Sequence, residues 1–369
     1  MRVVIVLPPG SRFDVDRPTS IETVVRSLGA HSHDRDALTV ICDDGAERGD
    51  ALTTLAITPE RSPVRRARIV ADHIARLKPD LVEVHQHMPS AAALAKRLRR
   101  APGPPIPVIL YRHNLLPDAG NLLKQWRHRR RVALFDGHLF VSEMGRAQFV
   151  DRYPELADRA TAIPNAIETA LWAARAKDRL PLIAFAGRAA PEKGLAPLCV
   201  ALETMLDAAP GWRAELALRD WSTHQAWSEA QLRPLARFGD RVTVVHNAPY
   251  AAVRTLFQRA AIVVIPSLWR EPFGLVAIEA HAAGSAVVSS GMGGLAEASG
   301  DHALVVPPGD DFAARLAEGL LWLANQPEER EALAAAGQAH AVQVHDAHDR
   351  SRELDATRRR FRKAVSVRH

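Results

Sequence analysis

Residues 261–297, AIVVIPSLWREPFGLVAIEAHAAGSAVVSSGMGGLAE, restrict the fold more than any other stretch. Ala261–Ile265 is a short apolar run rich in β-branched residues, which suits a strand buried on both faces. Pro266 ends it. Pro272 and Gly274 then open a helix, because proline's missing N–H costs nothing in a first turn. Leu275, Ile278 and Ala282 mark one face of that helix, and Gly284 stands where a left-handed C-terminal cap is expected. Ser285–Ser290 reads as the next strand. Gly291, Gly293 and Gly294 follow in a loop whose backbone can be approached closely.

Two carboxylates flank the start of this helix: Glu271 in the loop before it, Glu279 inside it. Between them a helix N-terminus offers free N–H groups and partial positive charge, which suits an anion. A phosphate at the amides near Phe273, Gly274 and Leu275 would have a carboxylate on either side. Carboxylates are poor partners for phosphate and good acceptors for sugar hydroxyls. Phosphates in the middle and hydroxyl-bearing rings at both ends describe a sugar nucleotide. An ordinary βαβ unit with two surface glutamates has the same spacing.

The run from Glu271 to Glu279, followed by Ala283-Gly284 and by Gly293-Gly294-Leu-Ala-Glu297, resembles the E-x7-E signature of retaining glycosyltransferases of family 4. The resemblance implies an α/β chain of GT-B fold, with two Rossmann-like doubly wound parallel-sheet domains facing across a cleft. It implies an acceptor-side domain over 1–170, onto which a C-terminal helix at 350–369 packs back, and a nucleotide-sugar-binding domain over 171–349.

The 369 residues leave room for two domains, each with its own core. No apolar run reaches the ~18 residues of a membrane span. Val3–Leu7 is too short for a signal-peptide core and reads as a first buried strand. Cys42 and Cys199 lack metal-ligand spacing, which fits a reducing cytosol. Residues 1–180 carry a net charge of +7 and residues 181–369 a net charge of −1, so the first half is expected to meet something anionic.

In that half, strand-like Val3–Leu7, Leu38–Ile41, Leu81–His85, Val108–Tyr111 and Gly137–Val141 alternate with helix-like segments, the pattern of a parallel sheet. Ligands of such sheets sit beyond the C-terminal strand ends, where His85, His87 and Arg112-His113-Asn114 fall. LVEVHQHMPSAAALAKRL, VILYRHN, LFVSEMGRAQF and IPNAIE are similar to the family's N-terminal domain, and His113 matches the histidine presented to the donor sugar. Residues 119–131, AGNLLKQWRHRRR, interleave Lys124, Arg127, Arg129 and Arg130 with Leu122, Leu123 and Trp126. That is a membrane-interface pattern, with a solvated helix face as the alternative. Nucleic acid is not expected, for want of a stacking-aromatic series.

After the link Ile167–Leu180, a strand at Leu182–Ala186 leads into Gly187-Arg188-Ala-Ala-Pro-Glu-Lys193-Gly194, which is similar to the family's G-R-x4-K-G loop. Two fixed cations beside a helix N-terminus can stabilise a leaving nucleoside diphosphate without a metal. There are departures. Pro18–Glu22 replaces the usual two glycines after the first strand, Arg219-Asp220-Trp221 replaces a glycine-rich turn, and His246-Asn247 stands near the expected base contact. The base therefore does not carry over. Trp212, Trp221 and Trp227 are expected to be packing residues. Asp14-Val-Asp16 and Asp34-Arg-Asp36 resemble metal-binding D-x-D motifs but fall in early loops, and no metal is expected. Gly291–Ala296 also fits a dinucleotide fingerprint, which keeps an NAD-binding reading open beside that of a catalytically silent sugar-nucleotide or glycan binder.

The resemblance implies a retaining glycosyltransferase with a nucleotide-sugar co-substrate, no cofactor, and a glycan or lipid-linked acceptor in envelope polysaccharide or lipopolysaccharide synthesis. The expected location is the cytoplasm, peripheral on the inner face of the plasma membrane. In the implied roles, Gly187, Arg188 and Lys193 hold the diphosphate, Glu279 the ribose, and Glu271 the sugar. The Phe273–Leu275 amides hold sugar or phosphate oxygens, and His113 meets the donor sugar.

Overall fold

The computed structural model describes residues 1–49, 51–118, 120–174 and 179–366. Ala119 at the head of the basic stretch, residues 175–178 of the link, and 367–369 of the basic tail lie outside the described residues. The chain forms two compact units, Met1–Ala166 with Ala347–His369, and Ile167–Asp346.

The first unit holds β1 (Val3–Val6), β2 (Leu38–Asp43), β3 (Thr53–Ile57), β4 (Leu81–His85), β5 (Val108–Arg112), β6 (Gly137–Phe140) and β7 (Ala160–Ala162). They form one sheet in the order β3-β2-β1-β4-β5-β6-β7, with every pairing parallel. The order reverses between β1 and β4, so the crevice that such sheets offer to ligands opens beyond Val6 and His85. The central strands are buried on both faces, as their unbroken apolar runs require. The helix Ser20–Ala30 starts on a capping box, Thr19 with Glu22, so the segment Pro18–Glu22 is a helix start. Glu22 also accepts from the Phe13 N–H at 2.9 Å.

The terminal helix Ala347–Ser366 packs on this unit. Two of its exposed arginines pair with acids there: Arg359 meets Asp34 at 2.8 Å and Arg362 meets Asp80 at 2.9 Å. Asp14 Oδ1 accepts from the Asp16 and Arg17 amides, a local turn.

The second unit holds β8 (Leu180–Arg188), β9 (Arg213–Arg219), β10 (Val242–His246), β11 (Ala260–Ile265), β12 (Ala286–Ser289) and β13 (Ala303–Val305), in the order β10-β9-β8-β11-β12-β13, again all parallel. Its switch point lies between β8 and β11. Helices Leu195–Ala208 and Phe312–Asn325 bury Leu198, Leu202, Leu316 and Leu320 in this unit's core. Trp212 belongs to the same core, and Trp221 and Trp227 pack against it. Among the described residues no helix is long and apolar enough to cross a membrane.

Candidate functional site

The residues singled out in the second half of the sequence gather at the β8/β11 switch point. Strand β8 ends on Gly187 and Arg188, and the turn Pro191–Lys193 follows. Gly194 has φ +75°, and a Cβ there would lie 1.9 Å from the Pro266 carbonyl oxygen. Glycine thus lets the cationic loop lie directly on the end of β11. The Leu268 N–H fixes that contact by donating to the Glu192 carbonyl at 2.8 Å.

This seating brings Lys193 to Glu271. Their Nζ and Oε1 atoms are 2.5 Å apart, and the Ser267 hydroxyl donates to the same oxygen at 2.8 Å. Glu271 is buried, Lys193 is half-buried, and the ammonium also lies 5.6 Å from the Trp269 ring centroid. Arg188, which is exposed, pairs with the half-buried Glu192 at 2.8 Å. The two cations of the loop are therefore each matched to a carboxylate, Arg188 on the surface and Lys193 inside.

The helix Leu275–Ala283 begins at Gly274, φ +112°, with no side-chain cap. Its first amides are the orphan donors that an anion can satisfy. Phe273 is buried and packs edge-on against His345, so the chain offers a ligand its backbone here and not its ring. Glycines 293 and 294 serve this loop. A Cβ at Gly293 would lie 2.5 Å from the Glu271 carbonyl oxygen, and one at Gly294 would lie 2.5 Å from the Phe273 Cα. The close approach read from the sequence is thus filled by the Glu271–Phe273 backbone, which removes the geometric basis of the dinucleotide-fingerprint reading.

Glu279 is buried inside the helix, and the Tyr250 hydroxyl donates to its Oε1 at 2.6 Å. Burial pushes its carboxyl up to about 7, against the Tyr250 hydrogen bond and the Arg219 charge, which pull it down. Tyr250 and Ser267 were not visible as site residues in the sequence. The one signal was that Tyr250 is among only three tyrosines and opens a helix just past the end of β10. At the ends of β9 and β10, Trp221 stacks on His246 with centroids 3.7 Å apart.

His113 lies in the first unit, directly after β5, and is buried. Its backbone N–H donates to Gln86 Oε1 at 2.9 Å, and its Nε2 lies 2.8 Å from His85 Nδ1. Burial, helped by neighbouring His85, holds its imidazole well below the usual histidine range, so it is neutral near pH 7. Arg112 is also buried, with Nε and Nη2 unpartnered among the described residues, and burial pushes it down to about 10.

The basic stretch is the helix Leu122–Val132, capped by the Asn121 side chain. Leu122, Leu123 and Trp126 are exposed along with Lys124 and Arg127. Arg130 sits over the Trp126 ring at 4.8 Å, and Arg129 pairs with Glu155 at 2.8 Å. Only its last residue, Val132, is buried.

HepE of Anabaena, solved with UDP, with UDP and glucose, and with UDP-glucose, shares this fold. It is 19% identical, with TM-scores of 0.76 to 0.78 over 97% of this chain and 99% of that one. Two doubly wound units of this kind make up the GT-B fold. Residues 167–340 match the family described as glycosyl transferases group 1, and residues 20–171 match Glycosyltransferase Family 4. The chain belongs to the family 4 glycosyltransferases. An α-maltose-1-phosphate synthase of Mycolicibacterium smegmatis is 28% identical over 64% of this chain and 69% of its own length. A D-inositol 3-phosphate glycosyltransferase of Acidothermus cellulolyticus is 34% identical over 54% of this chain, a match that spans 47% of that protein.

Proposed function

We propose that this glycosyltransferase retains anomeric configuration and moves a sugar from a nucleotide-sugar donor to a glycan or lipid-linked acceptor, without a required metal, in envelope polysaccharide or lipopolysaccharide synthesis. The observation that carries the reading is the Lys193–Glu271 pair beside the uncapped start of the helix Leu275–Ala283, with Glu279 inside that helix. Cation, orphan amides and two carboxylates match the alternation of charge and hydroxyl along a sugar nucleotide.

In this reading Arg188 and Lys193 bind the diphosphate, and their charge stabilises it as it leaves. Gly187 and Gly274 keep backbone close to its oxygens. Glu279 accepts from ribose hydroxyls, Glu271 and His113 act on the sugar, and the Phe273–Leu275 amides hold its oxygens or the phosphate. The acceptor hydroxyl attacks C1 on the face the diphosphate leaves. As the new C1–O bond forms and the C1–O–phosphate bond breaks, the hydroxyl proton passes to the leaving phosphate oxygen. HepE, solved with UDP-glucose, makes UDP-sugars the first donors to try.

The exposed Leu122, Leu123 and Trp126 among Lys124, Arg127, Arg129 and Arg130 support a peripheral seat on an anionic membrane, at its cytoplasmic face. The testing experiment is release of nucleoside diphosphate from UDP-, GDP- and ADP-sugars in the presence of EDTA. Turnover of one donor class is expected. Release only after Mn²⁺ or Mg²⁺ is restored would contradict metal independence, and no release from any donor would contradict the reading as a whole.

A further inference from the structure

We propose that His85 and Glu83, locked by Arg358 of the terminal helix, are positioning residues that fix His113 in one tautomer and make its Nδ1 a hydrogen-bond acceptor. This rests on the assignment of His113 to the donor sugar.

The arrangement begins with strand geometry. Glu83 and His85 lie two residues apart on β4 and so share a face of the sheet. In the neighbouring strand β5, Tyr111 pairs with His85, which puts His113 just past the register partner of His85. The terminal helix packs close to this sheet. A Cβ on Gly137 of β6 would lie 2.5 Å from the Phe361 ring, so the helix approaches where a side chain is missing.

Arg358 reaches in from that helix. Its Nε donates to Glu83 Oε2 at 2.8 Å and its Nη2 to Glu83 Oε1 at 2.9 Å. Its Nη1 donates to Asp355 Oδ1 at 3.2 Å, and Asp355 is held in turn by the Ser32 hydroxyl and the His33 N–H. Arg358, Glu83 and Asp355 are all at most 2% exposed. Burial pushes the Glu83 carboxyl up, but the Arg358 charge and the hydrogen bonds from His85 and Arg358 outweigh it and hold it well below the usual carboxylate range. Glu83 is therefore a carboxylate, an acceptor only.

The rest follows from counting protons. His85 Nε2 lies 2.8 Å from Glu83 Oε1, so Nε2 carries the hydrogen. A single ring proton on His85, given to Glu83 at Nε2, leaves Nδ1 with a lone pair. Its 2.8 Å contact with His113 Nε2 is a hydrogen bond only if His113 donates from Nε2. Neutral His113 is left with a lone pair on Nδ1, which has no partner among the described residues. Such a nitrogen accepts from a sugar hydroxyl and repels a phosphate oxygen. A buried ion pair of this kind contributes little net stability, while breaking it strands a charge. Its value here is to fix the direction of the relay.

The test uses full-length protein labelled with ¹⁵N-histidine, and long-range ¹H–¹⁵N spectra near neutral pH. His113→Gln assigns the His113 signals by their disappearance. The expected wild-type result is a His113 ring protonated at Nε2 and bare at Nδ1. A ring protonated at Nδ1, or one averaging both tautomers, would overturn the proposal. In the His85→Phe variant, mixed tautomers at His113 are expected. Loss of orientation should lower kcat on the order of 10-fold, while donor KM changes less than about twofold. An unchanged kcat in His85→Phe, where His113→Gln lowers it, would also overturn the proposal. Should His85→Phe fail to fold, the wild-type spectrum still decides. Full turnover in His113→Gln, with the tautomer as stated, would contradict the sugar assignment and leave the relay standing.

Discussion

Lys193 Nζ sits 2.5 Å from Glu271 Oε1, across 78 positions of sequence. The cation proposed for the diphosphate and the carboxylate proposed for the sugar thus hold each other in place. The Ser267 hydroxyl donates to the same oxygen and is a second anchor for Glu271.

Removing either cation of the loop should therefore be felt in turnover. Lys193→Ala and Arg188→Ala are each expected to lower kcat by at least ~10²-fold, the scale of losing an electrostatic stabiliser of the transition state. Steady-state kinetics with the preferred donor checks this, and near-wild-type rates in both variants would remove the loop from the mechanism. Gly194→Ala should resemble Lys193→Ala, since its Cβ would drive the loop off the Pro266 carbonyl.

Glu279 gives a pH prediction whose sign can be worked out. Its carboxyl is raised from 4.5 in the unfolded chain to about 7 in the fold. Between those values the folded protein holds a proton that the unfolded chain has lost, so this group's contribution falls as pH rises from 4.5 to about 7. Glu279→Gln removes that loss. Urea unfolding should show the variant gaining on wild type at pH 8 relative to pH 5, and an equal difference at both would count against the shift. A ribose hydroxyl donating to Glu279 favours the carboxylate, so nucleotide binding near pH 7 should release a proton. Calorimetry in buffers of different ionisation enthalpy measures this.

Gly337 provides a stability prediction against the usual trend. Alanine for glycine inside a helix normally gains roughly 0.5–1 kcal/mol. Here the added Cβ would lie 2.3 Å from Nδ1 of buried His281, and overpacking of that kind costs about 1–3 kcal/mol. Gly337→Ala is expected to lower Tm, and a rise would mean that His281 yields without strain.

The exposed helix Leu122–Val132 makes a membrane prediction. Each cation near an anionic surface contributes about 1 kcal/mol, so changing Lys124, Arg127, Arg129 and Arg130 to Ala should abolish co-sedimentation with anionic vesicles. Because Arg129 is already paired with Glu155, Arg129→Ala alone should matter least of the four. Equal binding to anionic and neutral vesicles would leave an ordinary solvated helix.

The central strands were legible because they are unbroken apolar runs, as in Leu81–His85 and Ala260–Ile265. The edge strands of the first sheet were not. Thr53–Ile57 is half polar and partly exposed, and Ala160–Ala162 is only three residues long, so neither carries a buried-strand pattern. At the site, Glu271 and Glu279 stood out through the helix between them. Their partners Ser267 and Tyr250 are polar residues of a common kind, and only the folded chain turns their hydroxyls onto those carboxylates. Arg358 was hidden best. In sequence it is one of several arginines on a basic tail, and only packing separates it, facing Glu83, from Arg359 at the surface.

The stereochemistry of transfer tests the proposed reaction most directly. With the donor class that releases nucleoside diphosphate, the anomeric proton of the first product can be followed by ¹H NMR in EDTA, before mutarotation. The expected product has the anomeric configuration of the donor, and Lys193→Ala slows its appearance. A product of inverted configuration, or none without added metal, would contradict front-face displacement supported by Arg188 and Lys193.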